Sequence, residues 1–186
     1  MLEEITKAIS VLEKGGLILY PTDTIWGIGC DATNEEAVQK IYSLKKRADS
    51  KALLCLVAND AMLEKYVDHI PDVAYDLIDL SERPITIIYD QPRGIAKNLV
   101  AEDNTLGIRI ASDKFCQYLI NNFKKPLVST SANISGEPTP KNFGQISDTI
   151  LKGVDYAVAL YRDKENGAPS SIIKLSSDAT VKVIRT

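Results

Sequence analysis

A chain of 186 residues with 45% apolar and 25% charged side chains can bury a real core and is read as one domain spanning 1–186. Its net charge of −3 argues against a polycation, so any grip on an anion or nucleic acid has to come from a local patch. No stretch is apolar enough for a membrane span and the acidic start Met1-Leu2-Glu3-Glu4 lacks the features of a secretory signal, so a cytoplasmic protein is expected. Cys30, Cys55 and Cys116, at wide and unmatched spacings, suggest neither a disulfide framework nor a zinc site.

Ile5, Ala8, Ile9 and Leu12 recur at helical spacing, and Gly15-Gly16 stops that helix before a buried strand at Leu17-Ile18-Leu19. The strand runs into Tyr20-Pro21-Thr22-Asp23-Thr24-Ile25-Trp26-Gly27, which sets two hydroxyls and a carboxylate where parallel sheets place their ligands. Thr33 and Glu36 have capping-box spacing for a second helix, with Ala37, Ile41 and Leu44 on one face and Lys45-Lys46-Arg47 at its end. Residues 53–57 read as a strand covered on both faces, and Asn59 or Asp60 as the cap of a short helix. Pro71 starts a helix through Leu80, and strands follow at 85–89 and 105–110.

Ser112 and Asp113 open a helix carrying Phe115, Leu119 and Ile120. Leu127-Val128 then leads into Ser129-Thr130-Ser131-Ala132-Asn133, a second strand that ends in hydroxyls. Ser135-Gly136 with Pro138 and Pro140 marks a loop, and 136–141 is the candidate lid. A helix over 143–151 and late strands at 156–160, 171–175 and 181–184 complete the pattern. The alternation predicts an α/β fold with a mixed, partly parallel sheet flanked by helices. No Gly-x-Gly-x-x-Gly fingerprint and no P-loop occurs.

Lys45, Lys46, Arg47 and Lys51 crowd four cations into seven positions. They either complement the dipole of the helix they end or, if the helix frays there into extended chain, set Lys45 and Arg47 on one face to grip one anion such as a triphosphate. Ser131 and Asn133 have the same i, i+2 relation and are either a polar turn or ligands for phosphate or sugar oxygens. His69 is the only histidine and sits far from the hydroxyl-rich strand ends, so a Ser-His or Cys-His mechanism is poorly supported. Arg109 lies within an apolar strand and needs an anionic partner there, either a side-chain carboxylate or a substrate carboxylate.

Taken in order, these residues resemble the YrdC/TsaC-like L-threonylcarbamoyladenylate synthases. The resemblance rests on Gly15-Gly16-x4-Tyr20-Pro21-Thr22-Asp23-Thr24-x2-Gly27-x-Gly29, Lys45-x-Arg47 and Ser131-x-Asn133-x-Ser135-Gly136. It continues through Leu106-Gly107-Ile108-Arg109, Gly167-x2-Ser170-Ser171 and Arg185, and so covers essentially the whole chain. It implies a YrdC-like fold with a concave basic cavity, and a reaction of ATP, L-threonine and bicarbonate that gives threonylcarbamoyl-AMP and diphosphate. The product serves the N6-threonylcarbamoyladenosine modification at position 37 of tRNA and would pass to a tRNA threonylcarbamoyl transferase complex.

By the same resemblance, Lys45, Arg47, Lys51, Thr105, Ser131, Asn133 and Arg185 hold ATP, while Thr24, Arg109 and Ser170 hold threonine. Lys45 and Arg47, with magnesium accompanying ATP, would neutralise developing charge. Trp26 stands where the family usually has Tyr, Ala48 where Pro often follows, Leu56 where long forms carry a His, and Lys141 where Thr is common. Leu56 and the chain's end after Arg185 favour the short form. The competing readings are a non-catalytic RNA-binding module and a divergent paralogue without synthase activity; the retained Lys-x-Arg and Ser-x-Asn motifs weigh against the paralogue.

Overall fold

The structure, a computed structural model, describes residues 1–46, 53–165 and 167–186. Its centre is a nine-stranded sheet built from β1 (Ile18–Tyr20), β2 (Gly27–Gly29), β3 (Leu54–Val57), β4 (Ile85–Asp90), β5 (Thr105–Ile110), β6 (Leu127–Ser131), β7 (Tyr156–Ala157), β8 (Ser171–Leu175) and β9 (Val181–Arg185). The strands lie in the order β7-β1-β2-β6-β3-β5-β4-β8-β9. Pairs β1–β7, β3–β5 and β4–β8 are parallel and the other neighbours antiparallel, so the sheet is mixed and partly parallel, as the alternating pattern predicts.

Among the described residues six helices flank it: α1 (Leu2–Glu13), α2 (Glu35–Lys45), α3 (Asp60–Tyr66), α4 (Val73–Asp79), α5 (Lys114–Phe123) and α6 (Asp148–Gly153). α1 packs against α5, burying Ile5, Ala8 and Leu12 with Phe115, Leu119 and Ile120 in the core. Gly15, at φ +68°, turns the chain from α1 into β1 through a conformation that costs other residues a steric penalty.

The local chemistry departs from expectation at several points. The cap of α2 is Asn34, whose side chain accepts from Ala37 N–H; Thr33 instead donates to Asp31 Oδ1 at 2.6 Å, so no capping box forms. The Gly27-Ile28-Gly29 run is a strand, which pairs antiparallel with β1 on the side away from its parallel neighbour β7. Gly29 is required there, since a Cβ would stand 2.7 Å from both the Val128 carbonyl oxygen and Tyr20 Cε1. The helix expected over 143–151 splits into a 3-10 turn, Phe143–Gln145, and α6, because Ile146 and Ser147 take extended backbone and Ser147 becomes the cap position of a new helix. β7 covers only Tyr156–Ala157 of the strand expected over 156–160.

α1 is tied to the edge of the sheet by Glu4. Its Oε2 accepts from Ala159 N–H at 2.6 Å and from the Tyr156 hydroxyl at 2.7 Å. The Ala159 bond, followed by the Tyr156 hydroxyl and Lys7, holds the Glu4 carboxyl below its ordinary value of 4.5, against the opposing effect of burial. A carboxyl lowered by folding stabilises the native state above its unfolded pKa and loses that effect as pH falls through the folded value. Glu4→Gln is therefore expected to cost about 1–2 kcal/mol at neutral pH, with the gap to wild type closing as pH falls below about 4. Urea denaturation at a series of pH values checks it.

Candidate functional site

β6 runs between β2 and β3, with Gly27 opposite Ser131 and Leu54 opposite Ser129. Its polar end therefore sits in the middle of the sheet. The two-residue alternation of strands puts Thr105, Gly107 and Arg109 of β5 on one face, joined there by Thr86 and Ile88 of β4. A cavity of about 320 Å³ opens over this face. The β1–β2 connection adds Thr24 and Ile25, β6 adds Ser129, Thr130 and Ser131, the 136–141 loop adds Thr139, and the end of the chain adds Pro169, Ser170, Ile172 and Arg185. Gly107 keeps the floor low, since a Cβ there would lie 3.3 Å from Thr86 Cγ2.

Thr24, Thr105, Arg109, Ser131, Ser170 and Arg185, six residues singled out in the sequence, line this one cavity. Arg109 is only 4% exposed, and its Nη2 lies 2.9 Å from Asp23 Oδ1. The contact is an ion pair off the hydrogen-bond line: neither Asp23 Oδ1 nor Arg109 Nε has an aligned hydrogen-bond partner among the described residues. Of the two partners that the sequence left open for Arg109, a side-chain carboxylate is thus present. Thr105 donates its hydroxyl to Asp103 Oδ1 at 2.7 Å, and Lys174 Nζ reaches Asp103 Oδ2 at 2.7 Å. Lys174 first, then Thr105, holds the Asp103 carboxyl below its ordinary value. Ser170 and Thr86 share a hydroxyl–hydroxyl bond of 2.8 Å, while the Ser170 carbonyl accepts from Arg185 Nε and Nη2 at 3.1 and 2.7 Å.

Two other described candidates, Lys45 and Asn133, do not line it. Lys45 is 1% exposed, and its ammonium donates to the Ser131 and Asn133 carbonyls at 2.5 and 2.6 Å, while its own carbonyl accepts from Ser135 N–H. The expected fraying of α2 into extended chain does not occur at Lys46, which caps the helix in the left-handed conformation at φ 50°. Asn133 does not line the cavity: β6 ends at Ser131, the two-residue alternation stops with it, and Asn133 Nδ2 donates to the Ile134 and Glu137 carbonyls of its own loop. Arg47 and Lys51 lie outside the described residues, as does Ala48.

Trp26 is buried edge-on against Phe143, with ring centroids 4.9 Å apart, and borders a neighbouring cavity of about 290 Å³ that shares Thr24. Leu56 is opposite Arg109 in register and fully buried. His69 is exposed and lines neither cavity. The three thiols are buried, and burial pushes each well above the ordinary range for cysteine, which leaves them poor nucleophiles.

The sequence reading missed Thr86, Ser129 and Thr139, and gave Asp23 no role beyond the turn. Thr86 carried a usable signal as the one polar residue in an otherwise apolar strand start, Ile85-Thr86-Ile87-Ile88. Chemically, the described lining offers hydroxyls, backbone groups and two guanidiniums, with no Asp or Glu. Such a set can hold anions and polar oxygens in place.

Because the buried Lys45 ammonium holds the Ser131 and Asn133 carbonyls, Lys45→Met is expected to destabilise the fold by about 1–3 kcal/mol. Thermal or urea unfolding measures this.

Residues 10–186 match the Sua5/YciO/YrdC family, whose description reads "Telomere recombination". A threonylcarbamoyl-AMP synthase of Pseudoalteromonas translucida is 34% identical over 83% of this chain and 84% of its own length. Among solved structures, E. coli YciO superposes with a TM-score of 0.84 at 26% identity, over 100% of this chain and 89% of that one. P. abyssi Sua5 complexed with L-threonine superposes with a TM-score of 0.80 at 24% identity, over 92% of this chain. The present chain spans 50% of the length of that Sua5.

Proposed function

The chain belongs to the Sua5/YciO/YrdC family, and we propose on that premise that it is an L-threonylcarbamoyladenylate synthase. It takes ATP, L-threonine and bicarbonate and releases threonylcarbamoyl-AMP and diphosphate. The observation that carries this reading is the cavity itself: a buried guanidinium at one wall, a second guanidinium at Arg185, and hydroxyls between them.

The chemistry asks for little else. The threonine amine attacks the carbon of bicarbonate and water is lost, giving a carbamate. A carbamate oxygen then attacks the α-phosphorus of ATP as the bond to the β,γ-diphosphate breaks. No protein nucleophile takes part, so positioning and charge neutralisation supply the rate. Thr24, Arg109 and Ser170 hold threonine, with Arg109 toward its carboxylate. Thr105, Ser131 and Arg185 hold ATP from the cavity wall, joined by Arg47, Lys51 and Asn133. Lys45 contributes by fixing the loop between Ser131 and Asn133, through the carbonyls it holds.

Magnesium is proposed to arrive with the nucleotide. Among the described residues no group of three or more His, Cys, Asp or Glu side chains could hold a metal ion, which suits an ion carried by phosphate oxygens. The product passes to a tRNA threonylcarbamoyl transferase complex, with direct contact to tRNA included in the proposal. A cytoplasmic location is part of the same reading; no described helix is long and apolar enough to cross a membrane.

The test is diphosphate release from ATP and magnesium with L-threonine and bicarbonate omitted one at a time. Release is expected only when both are present, and release indifferent to threonine would sink the synthase reading. Salt-sensitive tRNA binding without ATP consumption would favour a binding module instead.

A further inference from the structure

Building on the synthase reading, we propose that Asp23 is a positioning residue for Arg109. It turns the guanidinium so that the unspent edge faces the cavity and receives the substrate carboxylate. Arginine carries five N–H donors in a rigid fork and keeps its charge in any protein environment. Its flexible stem leaves that fork free to swing unless something holds one side.

The geometry supplies the hold and limits it. Asp23 Oδ1 lies 2.9 Å from Arg109 Nη2, with the two side chains 5% and 4% exposed. A fork-to-fork pair would occupy a whole edge of the guanidinium with two parallel bonds. Here Nε is buried with no hydrogen-bond partner among the described residues, so the contact is one-sided, and Nη1, which is neither buried nor bonded among them, is the donor left for the cavity. Asp23 thus balances the charge of a buried cation without saturating it.

Asp23 is itself braced. Its Oδ2 accepts from the Ser112 hydroxyl at 2.8 Å and from Ser112 N–H at 3.3 Å, just before α5. On the other side, Thr22 Oγ1 accepts from Thr24 N–H and Ile25 N–H, and the Thr24 carbonyl accepts from Gly167 N–H at 2.7 Å. The same short turn therefore presents Thr24 to the cavity and Asp23 to Arg109. The neighbouring Asp113 has a different duty: its Oδ1 caps α5 at Cys116 N–H, and it makes no ion pair with Arg109 among the described residues. Position along the chain, Ser112 to Asp23 to Arg109, becomes orientation at the substrate.

The experiment compares wild type with Asp23→Asn, Asp23→Ala and Ser112→Ala, each checked for folding by circular dichroism. Diphosphate release is followed while ATP and threonine are varied separately, and threoninamide replaces threonine as a second amine that lacks the carboxylate. Asp23→Ala is expected to raise the KM for threonine about tenfold or more with the KM for ATP within about twofold, and Asp23→Asn, which keeps the shape, to do less. The preference of wild type for threonine over threoninamide should fall about fivefold or more in Asp23→Ala and less in Ser112→Ala, because a misaimed fork no longer distinguishes a carboxylate from an amide. If Asp23→Ala fails to fold, the same loss of preference is required of Asp23→Asn. An unchanged preference, with both substrates weakened equally or neither affected, overturns the positioning role while leaving synthase activity intact. Absence of threonine-dependent release in wild type overturns both.

Discussion

A guanidinium that is 4% exposed cannot shed its charge, and the structure around the cavity is organised by that constraint. Arg109 enters from the middle of the sheet, so its counterion has to be brought over it by a different part of the chain. The turn after β1 does this with Asp23, and Ser112 fixes Asp23 in turn. One ion pair thereby joins the first hairpin, the central strand β5 and the start of α5. The cavity wall at Thr24 is placed by the same turn, so its position follows from the need to compensate a buried cation.

Lys45 shows the same constraint met in part by backbone carbonyls. Its ammonium is 1% exposed and is met by two carbonyl oxygens, from Ser131 and Asn133, at the point where β6 runs out of sheet partners. The Ser131 carbonyl, which also accepts from Asn133 N–H at 2.9 Å, and the Asn133 carbonyl lie beyond the regular ladder of β6, and carbonyls so placed are costly when they lack donors. A cation delivered from the end of α2 answers both needs at once. The left-handed backbone at Lys46 then redirects the chain after the helix.

The strands and most helices were legible because burial writes itself into local pattern. A continuous apolar run marked β3, and i, i+3, i+4 spacing marked α1 and α5. Arg109 stood out because a charge within an apolar run demands a partner. Which partner it has was not legible, since Asp23 and Ser112 meet it only after the sheet has ordered its strands out of sequence. β2 was missed because glycine-isoleucine-glycine carries no strand propensity; it is a strand because Val128 and Tyr20 leave no room for a side chain at Gly29. Lys45 was legible as a cation at a helix end, yet the two carbonyls it meets come from residues 131 and 133, and the left-handed turn at Lys46 had no sign in a lysine.

The hydrogen bonds already made within the cavity limit what it can hold. The Thr105 hydroxyl hydrogen is directed to Asp103, so toward the cavity this side chain offers lone pairs alone. Thr86 and Ser170 share one bond, which consumes one hydrogen of two and leaves the pair with one donor still to place. Arg185 commits Nε and one hydrogen of Nη2 to the Ser170 carbonyl, so the donors left to it are the two on Nη1 and the second on Nη2. The lining therefore separates into an acceptor at Thr105 and cationic donors at Arg109 and Arg185. A ligand that fits it must carry anionic oxygens toward the arginines and a hydrogen-bond donor toward Thr105, so a group that only accepts hydrogen bonds meets the arginines and not the threonine.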